Sequence, residues 1–186
     1  MKRVLDLLLS LVALCMLCIP ILIICMLVRL TSKGPVFYWS DRVGKFNVVF
    51  KMPKFRSMKL ETPNVATHLL ENSNKWMTPI GSILRKSSLD EIPQLWSIFK
   101  GDMSFVGPRP ALFNQKDLIE LRTENGVHFL LPGLTGWAQV NGRDDLSTHE
   151  KVQLDIEYLH KRSFLLDLKI LVMTVKIVVN KTGVSH

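Results

Sequence analysis

Val4-Leu5-Asp6-Leu7-Leu8-Leu9-Ser10-Leu11-Val12-Ala13-Leu14-Cys15-Met16-Leu17-Cys18-Ile19-Pro20-Ile21-Leu22-Ile23-Ile24-Cys25-Met26-Leu27-Val28 is the stretch on which the architecture turns. It holds one charge, Asp6, near its start, and one proline, Pro20. From Leu7 to Val28 there is no charge, enough for a membrane-spanning helix. The basic start (Lys2, Arg3) suits a signal peptide, but the apolar run is too long and no small-residue cleavage site follows. Two arrangements remain: a straight single-pass anchor, and a helix–break–helix that enters and leaves by one face. Pro20 lacks the donor for the Met16 carbonyl and crowds it, which favours a kink near the middle. The piece before it, about sixteen residues at roughly 1.5 Å each, falls short of a ~30 Å hydrocarbon core. Lys2 and Arg3 on one flank, and Arg29, Lys33, Arg42 and Lys45 on the other, pull both ends to the cytoplasmic side. These facts alone leave the straight and re-entrant readings open.

Outward from this segment, 186 residues suffice for one compact domain, and a second is a squeeze. The net charge of +8 suits anionic headgroups, nucleic acid or phosphorylated small molecules equally. Cys15, Cys18 and Cys25 all lie inside the apolar stretch. Cys15 and Cys18 form a C-x-x-C without a second ligand pair, so they read as small hydrophobes in a reduced setting.

Past a turn-rich exit at Thr31–Pro35, Val36–Tyr38 and Phe46–Phe50 read as short strands joined through Gly44. Met52–Met58 is a mixed basic segment with Lys54 and Arg56, and Glu61–Asn74 reads as a polar loop. A short helix is expected over Ser82 to Arg85 or Lys86, and another from Ser88. In the second, Ile92, Leu95, Trp96 and Phe99 form an apolar face of helical period, with Gly101 as the stop. Gly107-Pro108-Arg109-Pro110 reads as a stiff extended loop and Ala111–Arg122 as a helix. Pro132–Gly136 reads as a turn, Trp137–Val140 as a strand, and Asn141-Gly142 as another turn. His149–Arg162 and Asp167–Asn180 close the chain as helices. With no repeat and no low-complexity tract, the expected fold is a helix-rich α+β unit with a membrane-buried end.

Asp90 and Glu91 are the sharpest chemical pair. Ser88-x-x-Glu91 fits a capping box, with acidic residues favoured at a helix start. Arg85 and Lys86 upstream, and Arg109 held between two prolines, favour a second reading. An arginine so presented suits bidentate phosphate binding. Adjacent carboxylates among arginines suit Mg²⁺ and a diphosphate. An aspartate can also attack phosphorus to give an acyl phosphate, with its neighbour as general base. Spacing alone does not assign those roles. Gly136 and Gly142 are turn glycines on one reading; on the other, Gln139, Asn141 and Arg143 offer donors to a nucleotide or sugar. The five histidines are scattered without metal-ligand spacing. Phe164–Val179 is apolar but interrupted by Asp167, Lys169, Thr174 and Lys176, as suits a core helix or an interfacial amphipathic one. Tyr38 and Trp39 read as interface anchors or as core.

The run Ser88-Leu89-Asp90-Glu91-Ile92-Pro93-Gln94-Leu95-Trp96, with Lys100-Gly101-Asp102-Met103-Ser104-Phe105-Val106-Gly107-Pro108-Arg109-Pro110, closely resembles the core of the bacterial sugar transferases. These are the monotopic phosphoglycosyl transferases that start glycan assembly on undecaprenyl phosphate. Lys54-Phe55-Arg56-Ser57-Met58, the stretch Pro132 to Arg143, and the closing Gly183-Val184-Ser185 fit as well, so the likeness covers essentially the whole chain.

The resemblance implies a ping-pong reaction with Mg²⁺, in which Asp90 attacks the β-phosphorus of a UDP-sugar, UMP leaves and a covalent phosphosugar remains. Polyprenyl phosphate then attacks, with Glu91 as its base. Arg109 would bind phosphate, Arg85 and Arg56 would line the site, and the metal would rest on Asp90 and Glu91. It also implies a re-entrant hairpin over residues 1–30, broken at Pro20, and a catalytic domain over 31–186 with interfacial amphipathic helices. That puts the site at the cytoplasmic face of a bacterial inner membrane, with a UDP-sugar, polyprenyl phosphate and membrane lipid as partners and no nucleic acid. Some members have Ser before the break proline where this chain has Ile19. Larger members add an N-terminal membrane bundle, so the chain is expected to be the minimal catalytic unit. Two rivals are a glycosyltransferase that moves only the sugar and releases UDP, and a non-catalytic, membrane-anchored basic module.

Overall fold

The computed structural model describes residues 2–63, 73–142 and 145–180. The apolar segment forms two helices, α1 (Lys2–Met16) and α2 (Cys18–Thr31), bent by 61°. No single helix is long and apolar enough to cross a membrane; the bent pair passes that test together. The break falls at Leu17, three residues before the expected Pro20. Leu17 still donates to Ala13 and accepts from Ile21, while Pro20 sits in the first turn of α2, where a missing N–H costs least. The carbonyl that Pro20 cannot serve is that of Met16, the last residue of α1.

Both helices lay one stripe on the domain and leave the rest bare. α1 packs Ala13 and Leu14, with Leu17 of the break, against Met52, Leu95, Ile98 and Met103. α2 packs Ile21, Ile24, Cys25 and Val28, spaced i, i+3, i+4, i+7, against Phe55, Leu84 and Ile92. The opposite faces carry Leu8, Val12, Met16, Ile19, Ile23 and Met26 to the outside, an apolar area far beyond what a water-facing surface tolerates.

The ends of the pair are fastened to the same folded unit. Lys2 Nζ donates to the Val106 carbonyl (2.9 Å), Tyr158 Oη (2.9 Å) and Asp167 Oδ2 (2.6 Å). Arg3 donates to the carbonyls of Ile98 and, at 2.6 Å, Phe99. At the other end Arg29 donates to Gly34, and Arg56 to Lys33 and Ser32. The N-terminal basic residues thus bind protein acceptors, including the last carbonyls of a domain helix.

Two strands follow, β1 (Phe37–Val43) and β2 (Val49–Phe55), antiparallel with Tyr38 opposite Lys54 and Ser40 opposite Met52. They run longer than the expected strands, and β2 continues through Pro53. β1 is the central strand of its sheet and β2 lies at an edge, where a residue without an N–H is tolerated. Tyr38 and Trp39 are exposed. α3 (Gly81–Lys86) and α4 (Gln94–Lys100) flank the acidic pair, and Gly101 ends α4 with a positive φ. The buried face of α4 is Leu95 and Ile98, with Gln94 and Ser97. Trp96 is 51% exposed and stacks on Phe99 at 5.8 Å, so the expected Ile92/Leu95/Trp96/Phe99 face is only partly internal.

β3 (Ser104–Val106) pairs in parallel with β5 (Gly133–Thr135), and β4 (Ala111–Leu112) joins β1. The helix expected over Ala111–Arg122 is therefore a short strand and then α5 (Lys116–Glu124). The Pro132–Val140 expectation is reversed: Gly133–Thr135 is strand, and α6 (Trp137–Val140) is a turn of helix. α7 (Thr148–Lys161) and α8 (Phe164–Asn180) complete the fold. Tyr158 and Ile170 pack with Val106, Leu130 and Val140 as a separate core. The other side of α8 shows Leu165, Leu168, Val172, Val175 and Val178, an exposed apolar stripe. Most of the expected Glu61–Asn74 loop and the closing Gly183-Val184-Ser185 lie outside the described residues.

Candidate active site

Asp90 and Glu91 sit in a 3₁₀ turn, Leu89–Glu91, between α3 and α4. Ser88 does not cap a helix here. It takes a left-handed conformation (φ 56°) without a side-chain cap bond. A helix begun at Ser88 would carry Pro93 in its interior, where the ring forbids the hydrogen bond. The chain instead makes a tight turn and begins α4 at Pro93. That turn buries Asp90, 7% exposed, and leaves Glu91 reachable.

Three elements converge on the pair. Lys54 from β2 donates to Glu91 Oε1 at 2.7 Å, and Arg109 Nη2 reaches the same oxygen at 3.3 Å. Arg85, on α3, has Asp90 and Glu91 as charged neighbours and donates through Nε to Ser57 Oγ at 3.1 Å. α3 can lie this close to Ser57 because position 81 is glycine; a Cβ there would fall 1.9 Å from the Ser57 carbonyl. Arg42, on β1, stands near Arg109 and Glu91 and donates to the Pro110 carbonyl at 3.1 Å.

The electrostatics follow from this packing. Burial pushes the Asp90 carboxyl above its ordinary value; Lys54 works against the shift, and the charge of Glu91 adds to it. Burial, reinforced by Arg109, lowers Arg42 to about 10, which still leaves it charged at neutral pH. Arg85 is lowered by burial and held up by the dyad. Lys54, Arg85, Arg109 and Arg42 together outweigh two carboxylates. Such an excess of fixed positive charge at a half-buried site suits a phosphorylated anion.

The other expected site residues divide. Arg56 points its guanidinium at Lys33 O (2.7 Å), Ser32 O (3.0 Å) and Ser32 Oγ (2.6 Å), so it closes the exit of α2 while its neighbour Lys54 meets the dyad. Gln139 lies on α6 with both polar side-chain atoms buried and unbonded, close against Gly136. Arg143 lies outside the described residues. Lys54 and Arg42 are members of the cluster that sequence reasoning did not single out. The signal for Lys54 was the alternation Met52, Lys54 on one strand face, hidden by Pro53.

The Arg109 loop owes its place to a close backbone approach. A Cβ on Gly136 would lie 2.0 Å from the Gly107 carbonyl. These glycines let β5 seat against the Pro108–Pro110 segment.

The profile of the family described as "Bacterial sugar transferase" matches residues 1–181. The chain belongs to the bacterial sugar transferase family. It is 40% identical to an uncharacterized sugar transferase, EpsL, of Bacillus subtilis (strain 168), over all of this chain and 91% of that one. It is 38% identical to the UDP-glucose:undecaprenyl-phosphate glucose-1-phosphate transferase of Escherichia coli (strain K12), across 98% of this chain but 41% of that protein. It is 32% identical to a UDP-N-acetylgalactosamine-undecaprenyl-phosphate N-acetylgalactosaminephosphotransferase of Aeromonas hydrophila, across 98% of this chain and 44% of that one. The sugar transferase thus spans about two fifths of the relatives whose names state a reaction.

Proposed function

We propose that this sugar transferase moves a sugar-1-phosphate from a UDP-sugar to a polyprenyl phosphate and releases UMP, at the face of a bacterial inner membrane. The observation that carries the reading is the buried Asp90 beside Glu91, ringed by Lys54, Arg85 and Arg109. A carboxylate starved of solvent is a better nucleophile than a hydrated one, and the surrounding cations favour an anionic electrophile. In the first half-reaction an Asp90 oxygen bonds to the β-phosphorus, the bond from that phosphorus to the bridging oxygen breaks, and UMP departs with the electron pair. In the second, an oxygen of the acceptor phosphate attacks the same phosphorus and the Asp90 carboxylate is released. Glu91 takes the acceptor's proton when the acceptor arrives protonated. Arg109 and Lys54 offset charge on the phosphoryl oxygens.

Among the described residues no three His, Cys, Asp or Glu side chains gather into a metal cage. Mg²⁺ does not require one, since it takes one or two carboxylates with substrate phosphates and water. The dyad fits that donor set; Asp90 and Glu91 would hold the ion, and it would neutralise charge on the diphosphate.

The apolar hairpin with both ends fastened to one unit supports a re-entrant insertion, and the exposed stripe of α8 supports an interfacial helix. A polyprenyl phosphate presents its phosphate at that same headgroup level. The deciding experiment gives detergent-solubilised enzyme Mg²⁺, undecaprenyl phosphate and a panel of UDP-sugars, beginning with the glucose and N-acetylgalactosamine donors named for its relatives. UMP release is the expected product. Release of UDP would mean that the bond to the sugar carbon breaks, and the covalent aspartate would fall with it.

A further inference from the structure

The loop that presents Arg109 cannot fasten itself. Pro108 and Pro110 carry no N–H, so Arg109 keeps the segment's single backbone donor and the three carbonyls provide most of its hold. Each carbonyl is gripped from a different element. Gly133 N donates to Pro108 O at 2.8 Å, Arg122 Nη1 to Arg109 O at 2.8 Å, and Arg42 Nη1 to Pro110 O at 3.1 Å. The bond to Arg109 itself comes from Arg122, on the last turn of α5. Arg122 is fixed in turn by Asp155 on α7, whose Oδ2 accepts from Nε at 2.9 Å and from Nη2 at 2.7 Å. Both side chains are withdrawn from water, at 11% and 1% exposure.

A buried pair of this kind is a poor way to gain stability, because desolvating two charges offsets most of their attraction, and apolar replacements often serve as well. What an apolar pair cannot supply is a donor aimed at one backbone oxygen. We infer that Arg122 and Asp155 form a positioning device for Arg109: Asp155 orients the guanidinium, and its remaining arm sets where the Arg109 backbone sits, and so where its side chain meets Glu91 and the donor diphosphate. Neither residue touches the dyad. The inference rests on the reading of Arg109 as a phosphate-binding residue of this site.

A double-mutant cycle tests it, on the full chain in detergent with UMP release as readout. Arg122→Met/Asp155→Leu removes the pair without stranding a charge, and Asp155→Asn keeps the shape while loosening the guanidinium. Each is made in the wild-type and Arg109→Ala backgrounds. In wild type, either change is expected to lower kcat/KM for the UDP-sugar by about ten- to a hundredfold, mostly through KM. The melting temperature should stay near wild type for the apolar pair and fall for Asp155→Asn, which strands the buried guanidinium. In the Arg109→Ala background the same change is expected to add nothing further. An equal loss in both backgrounds would make the pair a general scaffold and sink the inference, leaving Arg109's role intact. Wild-type kinetics in both variants would sink it too. If Arg109→Ala alone costs nothing, the phosphate-binding reading falls, and the inference with it. If neither variant folds, the pair is a stability element and the inference is overturned.

Discussion

Lys54 Nζ lies 2.7 Å from Glu91 Oε1, while Arg56, two residues along the same strand exit, turns away to bond Ser32 and Lys33. The two basic residues therefore do different work. Lys54→Met is expected to cut kcat/KM by about 10²-fold with little change in melting temperature, since on the proposed function the lost charge would offset that of the reacting phosphate. Arg56→Met is expected to cost about 2 kcal/mol of stability through its lost charged hydrogen bonds, with kcat/KM near wild type in the folded fraction. Steady-state UMP release alongside thermal melts separates the two, and a reversed pattern would exchange their roles.

Asp90→Asn is expected to lower turnover by at least about 10³-fold, the scale of removing a nucleophile, and to raise thermal stability at pH 7. Burial lifts the Asp90 pKa above its ordinary 3.8, so the folded state takes up its proton more readily than the unfolded chain. Above the raised value the ionised carboxylate costs stability. As pH falls through the raised value towards 3.8 the cost shrinks, and below 3.8 it is gone. The stability gain of the variant should accordingly narrow between pH 7 and pH 4, which calorimetry at several pH values measures. A variant less stable than wild type at pH 7 would contradict the burial argument.

Gly136→Ala puts a methyl group against the Gly107 carbonyl. The strain is expected to cost on the order of 2 kcal/mol and to displace the Arg109 loop. Melting temperature and kcat/KM should fall together; a stable variant of unchanged activity would show that the approach is looser than described.

The fastening of both hairpin ends to one unit predicts one-sided labelling. With Cys15, Cys18 and Cys25 replaced by Ala, single cysteines at Lys33 and at the N-terminus should both resist a membrane-impermeant thiol reagent on spheroplasts and both react in inside-out vesicles. Opposite sidedness would establish a straight span.

On α8, Val175→Glu is expected to weaken flotation with anionic vesicles while leaving the melting temperature unchanged, because position 175 is 62% exposed on the apolar stripe. Undiminished flotation would remove α8 from the membrane surface.

What could be read in advance was decided locally, and what could not was decided by distant partners. The apolar segment, the acidic pair, α7 and the Gly101 stop all carry their signal within a few residues. The residues alone left that segment straight or re-entrant, however, and the bend falls at Leu17 instead of Pro20. The pattern Ser-x-x-Glu occurs at Ser88 and again at Ser147, yet only the second closes as a capping box. Pro93, two residues after Glu91, is the local reason. Lys54 was hidden because Pro53 argues against a strand unless that strand is known to lie at an edge, which is a property of the sheet. Gly133–Thr135 becomes a strand only by pairing with Ser104–Val106, and Trp137–Val140 is too short to display a period. Arg122 and Asp155 sit on two different helices, and nothing near either one in sequence names the Arg109 carbonyl that Arg122 reaches.

The clasp at the start of α1 also sets an order of events. Lys2 and Arg3 are made before every group that holds them: Ile98, Phe99 and Val106 come in mid-chain, and Tyr158 and Asp167 later still. During most of synthesis the hydrophobic helices exist without their anchorage, and loop closure over so long a separation is slow. On the re-entrant reading proposed above, the hairpin meets the bilayer before its clasp is complete. A chain stopped short of α8 would lack the Asp167 carboxylate, so the ion pair of the clasp closes only when the last helix arrives.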